Sequence, residues 1–333
     1  MGMRQLQLGS HGPRVSAVGL GCMGMSGMYG PADRAESIAT LHAALDAGIT
    51  LLDTGDFYGM GHNELLIGEA LRSVPRHSFL VSVKFGALRD PGSAWVGYDA
   101  RPAAVKNFLA YSLKRLGVDH IDIYRPARLD PQVPIEDTVG AIAEMVKAGY
   151  VRYVGLSEVG AQTLRKASAV HPICDLQIEY SLISRGIEAG ILSSCRELGI
   201  GITAYGVLSR GLISGHWHKG PAAPGDFRSH SPRFQGENVD RNLRLVEALR
   251  RVAQTKGISV AQLAIAWVVA QGNDILPLVG ARRREQLKES LGALEVALSA
   301  ADLQAIQEAA PHGSVAGERY AAAQMAQLDS ERG

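Results

Sequence analysis

ITLLDTGDFYGMGHNELLIGEALRSVPRHSFLVSVK, residues Ile49 to Lys84, reads as one strand, one helix and a second strand. ITLLDT is a short apolar run that reaches an acid at Asp53, turns through Gly55 and presents a phenol at Tyr58. Glu64 to Arg72 has the spacing of an amphipathic helix, and FLVSVK is a second apolar run closed by Lys84. Core packing does not call for an acid, a loop tyrosine and a lysine at these ends.

The same alternation extends in both directions. Similar runs stand at VSAVGLG, HIDIY, YVRYVGLS, CDLQIE, GITAYG and DILPLVG, which with the two above makes eight. Amphipathic segments at Arg34–Ala47, Pro102–Leu116, Ile135–Ala148, Gln162–Ala169, Ile187–Leu198 and Asn242–Lys256 lie between most of them. Nearly continuous apolar strands fit a parallel sheet covered by helices. Eight such units predict an α/β fold of the closed (β/α)8 TIM barrel type, with a doubly wound sheet as the rival. Before the first unit, Met3 to Leu8, a GSHG turn and Arg14 to Gly19 predict a hairpin over residues 3–19. Lys219 to Asp240 has no apolar period and reads as a long loop over the barrel mouth. Helices are expected at Ser299–Ala310 and Glu318–Leu328, in an extension over 299–333 that ends frayed. One domain over 1–333 accommodates all of this.

The formal charge of +1 gives no general attraction to nucleic acid or to a membrane surface. Cys22, Cys174 and Cys195 are scattered without metal-ligand spacing, so free thiols, no metal and a reducing compartment are expected. The N-terminal stretch lacks the apolar core of a signal peptide, and no apolar run is long enough to cross a bilayer. An acylation signal starting at Gly2 would want Ser or Thr where Leu6 stands. A cytoplasmic protein with a small-molecule partner is the expectation.

GLGCMG, Gly19 to Gly24, matches the dinucleotide fingerprint of doubly wound folds, but the following GMSGMYGP opposes the helix that fingerprint needs. The glycines read better as a strand-end turn that lets a ligand approach the backbone. In a barrel, Asp53, Tyr58 and Lys84 converge at the C-terminal mouth, although a lysine at a strand end is by itself an ordinary surface feature. Together they offer proton chemistry. A free phenol ionises near ~10, and an ammonium beside it favours phenolate. With Asp53 holding Lys84, Tyr58 can act as general acid when a carbonyl is reduced or as base when an alcohol is oxidised.

These motifs resemble the aldo-keto reductase family over nearly the whole chain. DTGDFYG followed by NELLIGEAL, then VSVK, IDIY, GLSE, Gln177, ITAYGVLSRG and VGARRREQLKES occur in that family's order. The resemblance implies reduction of aldehydes or ketones by NADPH (NADP+ in reverse), without a metal, by direct hydride transfer. It puts the family's acid, tyrosine and lysine on Asp53, Tyr58 and Lys84. The family's histidine is absent: its pattern resembles DLYYLHRVDP, whereas this chain reads DIYRPARLDP and carries Ala127 at that place. Arg125 and Arg128 flank the gap and are candidate substrate-orienting donors, with structural ion pairs as the alternative. His62, near Tyr58 in sequence, is a weaker candidate.

The resemblance also implies a cofactor surface. Ser157 and Gln177 would hydrogen-bond the nicotinamide carboxamide, Glu158 stands where the family often has Asn, and Tyr205 would stack on the ring. Leu208 to Gly211, with the Ser209 hydroxyl, would meet the pyrophosphate. Three arginines at a helix start disfavour the helix dipole unless a phosphate binds there, and Arg282 is expected at the 2′-phosphate, with Gln286 and Glu289 toward adenosine. Gly21, Cys22, Met23, Asp53, Gly206 and Gly280 complete the expected cofactor contacts. Met25 to Tyr29, Trp95, the 219–240 loop and the region of Tyr320 suggest a neutral, fairly bulky substrate. An NADP-binding redox sensor of the same fold with weak turnover is the alternative, prompted by Ala127, and a Rossmann dehydrogenase rests only on GLGCMG.

Overall fold

The computed structural model describes residues 2–220 and 226–332. Two short strands, β1 (Gln5–Gln7) and β2 (Arg14–Ser16), pair antiparallel, with Leu6 opposite Val15. Leu6, Leu8 and Val15 pack on Leu51, Ile123, Cys174 and Leu276, so the hairpin plugs the end where the barrel strands begin. The barrel strands are β3 (Gly19–Gly21), β4 (Leu51–Gly55), β5 (Leu80–Phe85), β8 (Ile121–Pro126), β9 (Val151–Ser157), β10 (Ile173–Glu179), β11 (Gly201–Tyr205) and β12 (Ile275–Gly280). All eight are parallel, and β12 pairs with β3 to close the ring. Strands β4, β8 and β10 are buried along their entire length, as their near-continuous apolar composition requires when one face meets the barrel interior and the other meets helices. VSAVGLG is therefore divided: its first residues complete the hairpin and its last three begin the barrel.

The surrounding helices are α1 (Arg34–Asp46), α2 (His62–Leu71), α3 (Pro102–Leu116), α4 (Ile135–Lys147), α5 (Ala161–Val170), α6 (Ile191–Glu197), α7 (Gly236–Thr255), α8 (Val260–Ala270) and α9 (Arg284–Gly292). Local chemistry sets their ends. Asp33 caps α1 by accepting from the backbone of Glu36, Pro102 opens α3, and Gly117 ends it in the left-handed region at φ 68°. Among the described residues, no single helix is long and apolar enough to cross a membrane.

Several elements differ from expectation. α8 is apolar around nearly its whole circumference, so it carries no amphipathic period to read; its Ser259 and Gln262 form a capping box. A small hairpin, β6 (Ala87–Arg89) with β7 (Trp95–Tyr98), rises from the end of β5. Of the loop expected at 219–240, residues 221–225 lie outside the described residues. Phe227–His230 and Pro232–Phe234 are 3-10 turns, and α7 begins at Gly236, ahead of the expected Asn242. Beyond the barrel, α10 (Ala300–Ala309) matches the first expected C-terminal helix, whereas the second is only α11 (Ala322–Met325). Residues 328–330 are tied down: Leu328 is buried, Ser330 N–H donates to the Glu158 carbonyl, and Asp329 accepts from the backbone of Gly160.

Candidate active site

A cavity of about 1080 Å³ opens at the C-terminal ends of the barrel strands. Each strand supplies lining at its end: Gly21, Asp53, Lys84, Ser157, Gln177, Tyr205 and Gly280, with Ala127 and Arg128 just beyond β8. The registers explain this convergence. Gly21 pairs with Asp53, Gly55 with Lys84, and Lys84 with Arg125, so residues distant in sequence share one level of the barrel.

Asp53 is the centre of the polar floor. Its Oδ1 accepts from the Lys84 ammonium, and its Oδ2 accepts from Ser82 Oγ at 2.9 Å and Gln177 Nε2 at 2.7 Å. Both members of the Asp53–Lys84 pair are buried. Burial pulls the Lys84 ammonium below its ordinary pKa against the opposing pull of Asp53. Tyr58, buried beside the pair, has its ring centroid 5.1 Å from Lys84 Nζ. Its phenol is not lowered as expected. Burial, and then the Asp53 carboxylate, raise it well above 10, while the Arg128 charge pulls the other way. The physical reason is that Lys84 is neutralised by Asp53 and faces the ring. The arrangement keeps the phenol in its acid form.

Beneath this floor lies Arg125. Its guanidinium is fully buried, 3.0 Å from Asp175 and 3.1 Å from Ser82 Oγ, and does not line the cavity. Gly155 makes room for it, since a Cβ there would lie 2.6 Å from Asp175 Oδ1 and 3.0 Å from Arg125 Nε. Arg125 is thus a structural ion pair and not a substrate donor. His62 also falls outside the cavity, bonded to Ser26 Oγ at 2.9 Å. Arg128 does line it, donating to the Tyr320 hydroxyl at 3.2 Å and to the Ala127 carbonyl at 2.6 Å. Ala127 brings no donor to the place of the family's histidine.

Of the expected cofactor residues, Gly21, Met23, Asp53, Ser157, Gln177, Tyr205, Gly206, Leu208, Gly211, Gly280, Arg282, Gln286 and Glu289 line the cavity. Cys22 does not: its thiol turns back toward the Leu20 carbonyl in the core. Ser209 does not either, its side chain being buried at φ 47° within the loop. Ser157 Oγ is a buried hydroxyl on the cavity wall without a hydrogen-bond partner among the described residues. Tyr205 is fixed by its hydroxyl, 2.7 Å from Glu158 Oε1 and 2.8 Å from the Tyr320 hydroxyl, which leaves its ring as a wall. Glu158 turns away from the cavity, pairing with Arg319. At the opposite rim, Arg282 donates to the carbonyls of Tyr29, Gly30 and Pro31. Burial lowers its pKa, as do the neighbouring charges of Arg228 and Arg283. That positive cluster, the orphaned Ser157 hydroxyl and the Tyr205 ring fit a phosphorylated nicotinamide dinucleotide.

Other residues at the site were given no site role by the sequence, apart from Trp95 on the substrate side. Asn63 ties the strand-end turns together, accepting from Thr54 Oγ1 at 2.6 Å and donating to the Cys22 carbonyl at 2.9 Å. Phe57, Trp95, Tyr98 and Phe227 form an aromatic side of the cavity, and Trp95 is reached only through the β6–β7 hairpin. The NELLIGEAL segment contains Asn63, but nothing in its spacing marks a tether.

Barrel, floor and rim together define an oxidoreductase-type site at the C-terminal ends of the strands. The chain belongs to the aldo/keto reductase family, whose model matches residues 17–311. It is 42% identical over 319 residues to the probable aldo-keto reductase 1 of Glycine max, covering 96% of this chain and 92% of that one. It is 41% identical over 311 residues to the aldo-keto reductase yakc [NADP(+)] of Schizosaccharomyces pombe, covering 92% of each. Among solved structures, the glycerol dehydrogenase AKR11B4 from Gluconobacter oxydans superposes with a TM-score of 0.82 at 29% identity. That match covers 92% of this chain and 94% of the other.

Proposed function

We propose that this protein is an NADP(H)-dependent reductase of aldehydes or ketones, with Tyr58 as the proton donor. The convergence of Tyr58 with the buried Asp53–Lys84 pair on one cavity carries this reading. The dinucleotide would lie between the Arg282 rim and the barrel floor, with its amide at Ser157 and Gln177 and its ring against Tyr205. When bound, it supplies a hydride equivalent to the carbonyl carbon.

The chain's own residues handle the proton. Tyr58 holds it at its hydroxyl and delivers it to the carbonyl oxygen as that oxygen gains charge. Lys84 and Asp53, locked together, set the field around the phenol, and re-protonation of the phenolate is favoured by the same burial that raises its pKa. The aromatic side and the C-terminal residues Tyr320, Ala323, Gln324 and Gln327 wall the cavity beside Tyr58. The NADP(+) specificity in the name of the fission yeast relative supports the cofactor assignment.

The test is consumption of NADPH by the purified protein with a panel of aldehydes, ketones and quinones. Turnover on at least one class is expected. Tight binding of NADPH with no turnover on any would contradict the reductase and favour a redox sensor.

A further inference from the structure

The cations lining the cavity are not all neutralised. Lys84 pairs with Asp53, Arg210 with Glu179 at 3.3 Å, and Arg228 with Asp226 at 2.6 Å. Arg282 and Arg283 form the rim discussed above. Arg128, at the other end beside Tyr58, has no carboxylate within ion-pair distance among the described residues, and its protein hydrogen bonds go to one carbonyl and one phenol. Of the five N–H donors of a guanidinium, those bonds take two.

The surroundings sharpen the imbalance. Arg128, Arg210 and Arg319 gather around the Tyr320 ring, and Arg233 joins Arg210 and Arg319 at Glu179. The carboxylates that pair with Arg210, Arg233 and Arg319 are the buried Glu158 and Glu179 and the exposed Glu331. Glu158 is fully committed: its oxygens serve Arg319, Tyr205, Ser330 and the backbone N–H of Glu179. Glu179 is shared by Arg210, Arg233 and Arg319. Arg128 is half-buried on the cavity wall, and a ligand carboxylate there would supply the direct ion pair that it lacks among the described residues. Apolar loops alone suggest a neutral substrate; Arg128 adds a charge to that description.

We propose that the substrate is an oxo acid, a carbonyl compound bearing a carboxylate that Arg128 binds while the carbonyl faces Tyr58. The inference rests on the reductase reading for its carbonyl, and on Arg128 for its acid. A carboxylate matches the planar fork of a guanidinium, and the Tyr320 hydroxyl, already bonded to Arg128, stands beside the same position. Phe57, Trp95 and Tyr98 offer flat surfaces to a ring between the two groups.

The test uses NADPH and a matched pair of aldehydes, 4-carboxybenzaldehyde and methyl 4-formylbenzoate. The full-length wild type should favour the acid by about tenfold or more in kcat/KM, the scale of a charge-assisted hydrogen bond. Arg128→Met should abolish that preference through KM for the acid, and Arg128→Lys should restore part of it. Equal kcat losses on both aldehydes, with the preference kept, would overturn the proposal and make Arg128 a carbonyl-orienting donor instead. A wild type that turns over both aldehydes without acid preference overturns it irrespective of how any variant folds. Calorimetric titration with benzoate, with and without NADP+, separates the two readings. Arg128-dependent benzoate binding with neither aldehyde turned over leaves the subsite standing and removes the reductase. Turnover of both aldehydes at equal efficiency without benzoate binding removes the subsite alone.

Discussion

At the scale of single residues, the site is governed by burial acting on charge. Tyr58 is held well above the ordinary phenol pKa, so its acid form persists through neutral pH. Reduction rates should stay level from neutral into mildly alkaline solution, whereas the reverse reaction, which needs phenolate, should rise with pH. A reduction rate falling with a midpoint near neutrality would contradict this. Asp56 obeys the same rule with the opposite consequence for stability. Burial, then Glu64, push its carboxyl up to about 8, so the folded protein holds a proton that the unfolded chain releases near ~3.9. The stability associated with that proton is present below the unfolded value and is lost as pH rises through the folded one. Asp56→Asn should therefore flatten the loss of stability between pH 6 and pH 9 in urea titrations, and an identical slope in both proteins would refute it. Arg282→Ala should weaken NADPH binding by about tenfold to a hundredfold relative to NADH, the scale of hydrogen bonds to a charged group. Retained discrimination would move the 2′-phosphate elsewhere.

At the scale of elements, the strand ends were readable and the partners that cross the barrel mouth were not. Asp53, Lys84, Ser157 and Gln177 announce themselves as polar residues ending apolar runs, and β4, β5, β9 and β10 place them accordingly. Glu158 and Arg319 are separated by 161 positions, and no local pattern links them. Their pair fastens the C-terminal segment, whose Tyr320 lines the cavity, to the end of β9. Arg125 is similar: its sequence context suits a mouth residue, but the space at Gly155 and the acid at Asp175 draw it into the floor. α8 escaped for the reverse reason, being too uniformly apolar to show a period. Arg319→Ala leaves Glu158 buried and unpaired, a loss on the order of 3–5 kcal/mol. Burial raises the Glu158 carboxyl, but Arg319 overcomes it and holds the group well below its usual range. The pair's contribution is accordingly present above ~4.3 and is lost as pH falls below that. Proteolysis should release the C-terminal segment of the variant first; unchanged protection and stability would count against the latch.

At the scale of the whole molecule, eight parallel strands, or the residues just past their ends, converge on a common cavity. Chemistry here is a property of the ring, since Asp53 is met by Lys84 from the next strand and by Gln177 from across the barrel. The barrel itself was legible because eight apolar runs of similar length alternate with helices, which a doubly wound sheet does not explain as economically. With Ala127 in place of the family's histidine, that ring brings no side-chain donor at this position, and the proposed proton delivery rests on Tyr58. The most direct measurement is NADPH oxidation by Tyr58→Phe beside the wild type, on a substrate the wild type reduces, with NADPH binding measured for both. A loss of about a hundredfold or more in kcat with binding retained is predicted. Wild-type kcat in the variant would contradict the account.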